Sequence, residues 1–206
     1  DAGPPDAPVL APLGPTNDTT PTLTGTAEAG STVTISDGGT VLGTTVADAN
    51  GAFSFTPATP LADGSYSLTA TATDAAGQVS APSAPVAVTI DTAPPGVPVV
   101  TGGGGATADT TPAITGTGEP GATVTLLDGT TPVGSATVGA DGSFTVSPTN
   151  PLTEGSHDLS VQLTDAAGNV GTPSTPVAVV IDAGPPDAPV LAPLGPTNDT
   201  TPTLTG

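Results

Sequence analysis

The chain opens DAGPPDAPVLAPLGPTNDTTPTLTG at residues 1–25, and the same twenty-five residues return, letter for letter, at 182–206. Asp182 therefore falls on Asp1, a period of 181 residues, and a looser copy starts halfway, at Asp91. A fixed period constrains the fold more than any local propensity, because each copy must build the same structure. NDTTPTLTGTAEAGSTVTISDG at 17–38 lines up with ADTTPAITGTGEPGATVTLLDG at 108–129, at an offset of 91. SLTATATDAAGQVSAPSAPVAVTID at 67–91 lines up with DLSVQLTDAAGNVGTPSTPVAVVID at 158–182 at the same offset. The linkers pair at an offset of 90, so one extra residue lies in the second copy near Gly102 to Gly105. That glycine run reads as a flexible surface loop, where a change of length is tolerated. The sequence thus divides into a module at 1–91, a second at 92–182, and the start of a third at 183–206, identical to 2–25. It reads as a window on an array, with any secretion signal or anchor expected outside it.

Charge excludes whole classes of partner. The 206 residues contain no Lys or Arg and 19 Asp plus Glu, for a net charge of −19. Binding a phosphate backbone rests on Lys and Arg, as does attraction to an anionic lipid surface, so neither nucleic acid nor membrane is an expected partner. No apolar run reaches the roughly 18 residues that membrane insertion requires. The 28 Gly and 26 Pro would suit a disordered chain. Here, however, they punctuate runs in which Val, Ile and Leu recur two apart, which is the pattern of strands and turns. The aromatic residues are Phe53, Phe55, Phe144 and Tyr66, and Cys is absent. A module of this size with an aliphatic core and no disulfide is expected to be marginal, so another stabilising device is anticipated.

Alternation predicts seven strands per module. In the first they fall around 8–10 (A), then at 20–27 (B), 31–36 (C), 40–47 (D), 52–57 (E), 65–73 (F) and 84–91 (G). Phe53 and Phe55 share one face of E, and Val86, Val88 and Ile90 one face of G, with Ser and Thr opposite. Seven short strands, apolar on one face and separated by regular turns, predict an all-β fold of tandem immunoglobulin-like sandwiches, without the Cys and Trp signature of antibody domains.

NDTTPTLTGTAEAGSTVTI, the LTDAAGN segment, PVAVTID and the IDTAPP linker resemble the bacterial Ig-like domains that tile giant repeat adhesins of the RTX type, exported by type I secretion. The likeness runs through essentially the whole chain. It implies an extracellular stalk at the cell surface, stiffened by calcium, that holds a distal adhesive domain away from the cell and serves adhesion or biofilm formation.

Counting strands up and down places loops B–C, D–E and F–G at the end of each module that faces the incoming linker. That sorting gathers acids at the junction. Asp91 closes strand G of the first module, while Glu119, Asp141 and Asp165 occupy the three loops of the second. Glu28 and Asp74 repeat the pattern at the top of the first module, with Asp1 and Asp182 as the corresponding linker acids. Carboxylates brought together repel unless a cation joins them, and several hard oxygens suit Ca²⁺. The same acids also suit turns without any metal. For Asp141, which aligns with Asn50, the two readings stand level. Asp37, Asp63 and Asp128, in DGG, DGS and DGT, read as turn residues. No EF-hand loop is present, so a calcium site must be assembled from separate loops.

Other chemistry finds little support. His157, the single histidine, aligns with Tyr66 at the start of strand F and reads as a structural hydrogen-bonding position akin to a tyrosine corner, not as a catalytic base. A glycosidase cleft needs an aromatic platform that is missing. The GGGG run at 102–105 lacks the Lys and helix of a phosphate loop, and the threonines of TATAT at 69–73 read as an ordinary solvent-facing strand. The chain is expected not to be an enzyme. Its expected partners are the neighbouring repeats of its own chain. A second reading, from a different functional class, is a self-assembling fibre or surface layer. In that reading homotypic assembly proceeds by strand addition through residues such as 183–206. A carbohydrate-binding module would need exposed aromatics that the sequence does not supply.

Overall fold

The computed structural model describes residues 3–186, 188–193, 196, 198, 200, 201 and 203. Asp1 and much of the expected third-module B strand lie outside the described residues, so the calcium reading of Asp1 is not addressed there, whereas the A strand expected around 189–191 lies within them and does not form, with those residues exposed and unpaired with any strand. Among the described residues there are fifteen strands and no helix, hence no helix long and apolar enough to cross a membrane.

In the first module β1 (Val9–Leu10), β2 (Leu23–Thr26) and β5 (Ala52–Phe55) form one sheet, in the order β1-β2-β5. Facing it are β3 (Thr32–Asp37), β4 (Thr40–Val46), β6 (Gly64–Thr73) and β7 (Val86–Ile90), in the order β4-β3-β6-β7. The second module repeats the pattern. Strands β8 (Val99–Gly102), β10 (Ile114–Thr117) and β13 (Ser143–Val146) form the smaller sheet. The larger one holds β9 (Gly105–Thr107), β11 (Thr123–Asp128), β12 (Thr131–Thr137), β14 (Gly155–Thr164) and β15 (Val177–Ile181). The fourth predicted strand of each module stays beside the third and does not cross to the sheet of A, B and E, as it does in constant-type immunoglobulin domains. Its tight DGG or DGT hairpin keeps it there.

Two details depart from the sequence expectation. The glycine run at 102–105 is no flexible loop: β8 ends at Gly102, β9 begins at Gly105, and the chain switches sheets between them to pair in parallel with β15. Gly103 lies at φ 106°, and a side chain there would meet Ala113 and Ile114, so glycine fits the crossing for both conformation and space. The first module makes the same switch with a single parallel bridge, Thr16 to Ile90. Strand G is also shorter than predicted, starting at Val86, because Pro82 and Pro85 cannot donate to a ladder. Serines replace the missing pairing. The Ser80 and Ser83 hydroxyls accept from the N–H groups of Ala72 and Ala70, while their own N–H groups donate to the carbonyls of the same two residues.

Each sandwich has its own core. Val33, Ile35, Leu68, Ala70, Val88 and Ile90 close the first against Phe53, Phe55 and Leu23. Val124, Leu126, Leu159, Val161, Leu163, Val179 and Ile181 close the second against Phe144, Val146 and Ile114. The alternation is that of the sequence, with apolar residues inward and Thr and Ser outward. In the smaller sheets a phenylalanine ring packs against a glycine: a Cβ on Gly116 would collide with the Phe144 ring and with the Val99 carbonyl, and Gly25 is placed in the same way against Phe53. Gly116→Ala is therefore expected to destabilise the second module by about 1–3 kcal/mol through overpacking. Chemical denaturation should show this as an earlier transition for that module alone, with the first module's transition unmoved.

Candidate functional site

Register fixes which loops share an end. Thr32, the first residue of β3, pairs with Thr73, the last of β6, and with Val46, the last of β4. Loops B–C, D–E and F–G therefore cluster at one end, as the strand count anticipates. Strand β7 finishes at the opposite end, where Asp91 leads directly into the top of the second module.

The F–G loop of the second module, Asp165 to Asn169, makes the contact between modules. One Asp165 carboxylate oxygen accepts from the N–H groups of Ala167 (2.8 Å) and Asn169 (2.9 Å), and the other accepts from the Asn169 amide nitrogen (2.8 Å). That amide also donates to the backbone carbonyl of Asp91 in the first module, at 2.7 Å. Beside it the Asn17 N–H donates to the Ala167 carbonyl at 3.1 Å. Asn169 is buried, so the bridge is shielded from competing water. Linker residue Pro95 is buried too, with its carbonyl against Gly171. Burial alone would raise the Asp165 pKa, but hydrogen bonds from the Asn169 side chain and from the Asn169, Ala167 and Gly168 N–H groups outweigh it and hold the carboxyl below its ordinary value. Such a group contributes stability above its unfolded pKa and loses it as pH falls through the lower folded value.

The other predicted ligands lie in separate places. Glu119 and Asp141 line one shallow recess with linker residues Gly96 and Val97. Asp141 accepts from the Ser143 N–H and hydroxyl at 3.0 and 2.8 Å, and the Ser143 N–H in particular lowers its pKa. In the first module the same turn is closed by Asp48, which accepts from Asn50 and Ala52. Asp91 accepts from Ala93, and Asp74 from Gln78. Glu28 lines a recess with Asp6 and Val9, and Asp182 follows β15, its N–H bound to Thr107. Among the described residues no three acidic or histidine side chains come together as a metal-holding group, and no buried side-chain polar atom lacks a partner. The geometry thus brings Glu119 and Asp141 to one recess and links Asp165 to the Asp91 backbone carbonyl only through Asn169, with no carboxylate cage among the described residues.

Three acids read as turn residues do more than cap turns. Asp63 accepts from the Thr92 hydroxyl (2.9 and 3.0 Å) and N–H (3.2 Å), gripping the outgoing linker, and Glu154 grips Ala183 in the equivalent place. Asp37 accepts from the Ser67 N–H. Asp128 lies 2.7 Å from His157 Nδ1. These partners are about thirty residues away in sequence, and so invisible to turn propensity. Asn17 and Asn169 were missed for a related reason, since a lone Asn in a turn carries no signal of an interdomain bond.

His157 and Tyr66 occupy the corner the alignment suggests. The Tyr66 hydroxyl donates to the Ala62 carbonyl at 2.8 Å, and His157 Nε2 donates to the Thr153 carbonyl at 2.9 Å. With Nδ1 against a carboxylate and Nε2 against a carbonyl, both ring nitrogens are placed to donate, which only the imidazolium does. The hydrogen bond to Asp128 accordingly raises the His157 pKa above its ordinary 6.5. A raised folded pKa means that the stabilisation is fully present below the unfolded value and is lost as pH rises through the folded one. The second module is thus expected to melt lower at about pH 8 than at about pH 6. His157→Tyr, which installs the first module's residue, should flatten that difference in a thermal melt.

The family described as Bacterial Ig-like domain matches the chain twice, at residues 14–92 and 100–183. No curated protein sequence matches it. Among solved structures, a marsupial T cell receptor aligns with a TM-score of 0.55 at 10% identity, over 90% of this chain and 75% of that one. This likeness is one of fold. A biofilm associated protein BSP domain aligns at 22% identity with a TM-score of 0.35, over 87% of this chain. The chain spans 30% of that domain's length. Two family matches that together span most of the sequence, each on most of one sandwich, place the chain in the bacterial Ig-like domain family.

Proposed function

We propose that the chain is a segment of an extracellular stalk, built of Ig-like modules stacked end to end, in a large bacterial surface adhesin of the RTX type. The observation that carries this reading is the head-to-tail contact: the end of the first module touches the F–G loop of the second through Asn169, Asn17 and Pro95. Such an end-to-end arrangement can repeat along an array without limit, because each module presents one end to its predecessor and the other to its successor. The all-acidic composition keeps neighbouring stalks apart in solution. The reading assigns the chain no reaction and no nucleic-acid or membrane partner.

Calcium at each joint belongs to the same proposal. Asp91 and Asp165 would hold it together with backbone carbonyls, with Glu119 and Asp141 on the other side of the linker. Glu28, Asp74 and Asp182 take the corresponding places at the neighbouring joints. The cation would neutralise charge that the chain has no Lys or Arg to meet. The chain's own contribution is positional: Asn169 fixes the F–G loop against Asp91, and the buried Pro95 limits the swing of the linker.

With its ten-residue strand β6, each module is about 30 Å tall. In calcium the maximum dimension from X-ray scattering should grow by about that amount per module for chains of increasing module number. In chelator the rod should become more flexible and melt at a lower temperature. A globule-like growth in size would reject the stalk, and a stable side-by-side oligomer in calcium would favour fibre assembly by strand addition. An identical melting temperature and scattering profile in chelator would remove calcium from the reading while leaving the stalk.

A further inference from the structure

Four features tie the first module to the second, and at each of them the equivalent position of the other module holds a different residue. The linker residue after Asp91 is Thr92, held by Asp63 through both its hydroxyl and its N–H. After Asp182 it is Ala183, which has only an N–H to offer Glu154. The bridging amide is Asn169, whereas a module of the first type carries Gln78, whose amide reaches its own loop aspartate at 3.3 Å against 2.8 Å for Asn169. An extra rotatable bond makes a bridge through Gln costlier in entropy to fix. The side chain of Asn17 lies against Gly168, whereas the second module has Ala108 at that position.

The fourth feature is space. Gly171 lets the Pro95 carbonyl approach so closely that a Cβ there would stand 2.7 Å from its oxygen and 3.2 Å from the proline ring. The backbone oxygen cannot yield as a side-chain tip would. A module of the first type carries Ser80 at this position, and its hydroxyl is held between the Ala72 N–H and the Ala81 carbonyl, so its Cβ excludes that approach. Past Asp182 the sequence takes up the first module's letters for twenty-four residues, and a third module that continues as the first would combine Ala183 and Ala108 with Gln and Ser at that joint. We propose that the array has two kinds of joint in alternation, a latched joint between first-type and second-type modules and a looser one between second-type and first-type modules. The stalk then bends at every second joint. This inference rests on the stalk reading and refines where its flexibility lies.

The chain has no cysteine, so spin labels can be placed at Ser65→Cys and Ser156→Cys, equivalent exposed positions on β6 and β14. Distance distributions measured in chelator isolate the protein's own contacts from any cation. The present chain should give a single narrow distribution. Asn169→Gln with Gly171→Ser, the first module's residues, should broaden it about twofold, and Asn169→Gln alone by less. A chain of residues 92–182 followed by 2–91 places the other joint between two unaltered modules, each with its own core, and should be as broad as the double variant. Equally narrow, long distances for both joints would overturn the alternation and leave the stalk standing. Short distances at both joints would instead reject the stalk itself.

Discussion

A chain without Lys or Arg must satisfy its carboxylates with N–H and hydroxyl groups, and that constraint shapes this structure wherever modules or loops meet. Asp165 closes its loop on backbone N–H groups, Asp141 on Ser143, Asp48 on Asn50 and Ala52, and Asp63 on Thr92. Each such bond is charge-assisted on the acceptor side, and so stronger than a neutral pair. Because the donors are main-chain groups, each bond also fixes a backbone conformation. A Lys partner would have neutralised the acid without ordering anything. His157 with Asp128 is the one ion pair available to the sequence, and it lies at the corner where the second module's linker departs.

The repeat makes these solutions comparable with one another. The same turn is closed by Asp48 in one module and by Asp141 in the other, two residues apart in register, so the acid has moved while its task has stayed. The corner is held by a phenol in one module and an imidazole in the other, both donating to a carbonyl four residues upstream. The interface tolerates less exchange. Gly171 and Ser80 are both compatible with strand pairing, yet only glycine admits the linker carbonyl. Identical folds therefore do not imply identical joints.

Fold class was legible because its signals are local. Period-two alternation, Gly and Pro between runs, and the 91-residue offset are all read within short windows, and the strands fall close to the predicted places. The end of the sandwich where loops B–C, D–E and F–G cluster followed from counting strands. Strand G came out short because Pro82 and Pro85 removed donors, a rule the sequence contains but the alternation obscures. The glycine run was misread because high local freedom looks alike in a mobile loop and in a crossing packed against Ala113, Ile114 and Val177.

The sequence by itself determined the all-β architecture, the module period, the aliphatic cores and the lack of any Lys or Arg to meet nineteen acids. Tertiary structure alone decided how those acids are shared out. Glu119 and Asp141 share a recess beside the linker, while Asp165 turns inward to its own loop, because side-chain direction at a loop tip depends on which N–H groups the turn exposes. It also decided that the joint closes through Asn169 to a backbone carbonyl, a contact 78 residues apart along the chain. Main-chain acceptors carry no residue identity, so no pattern of side chains could have announced that bond. It exists only once two folded modules have been set end to end.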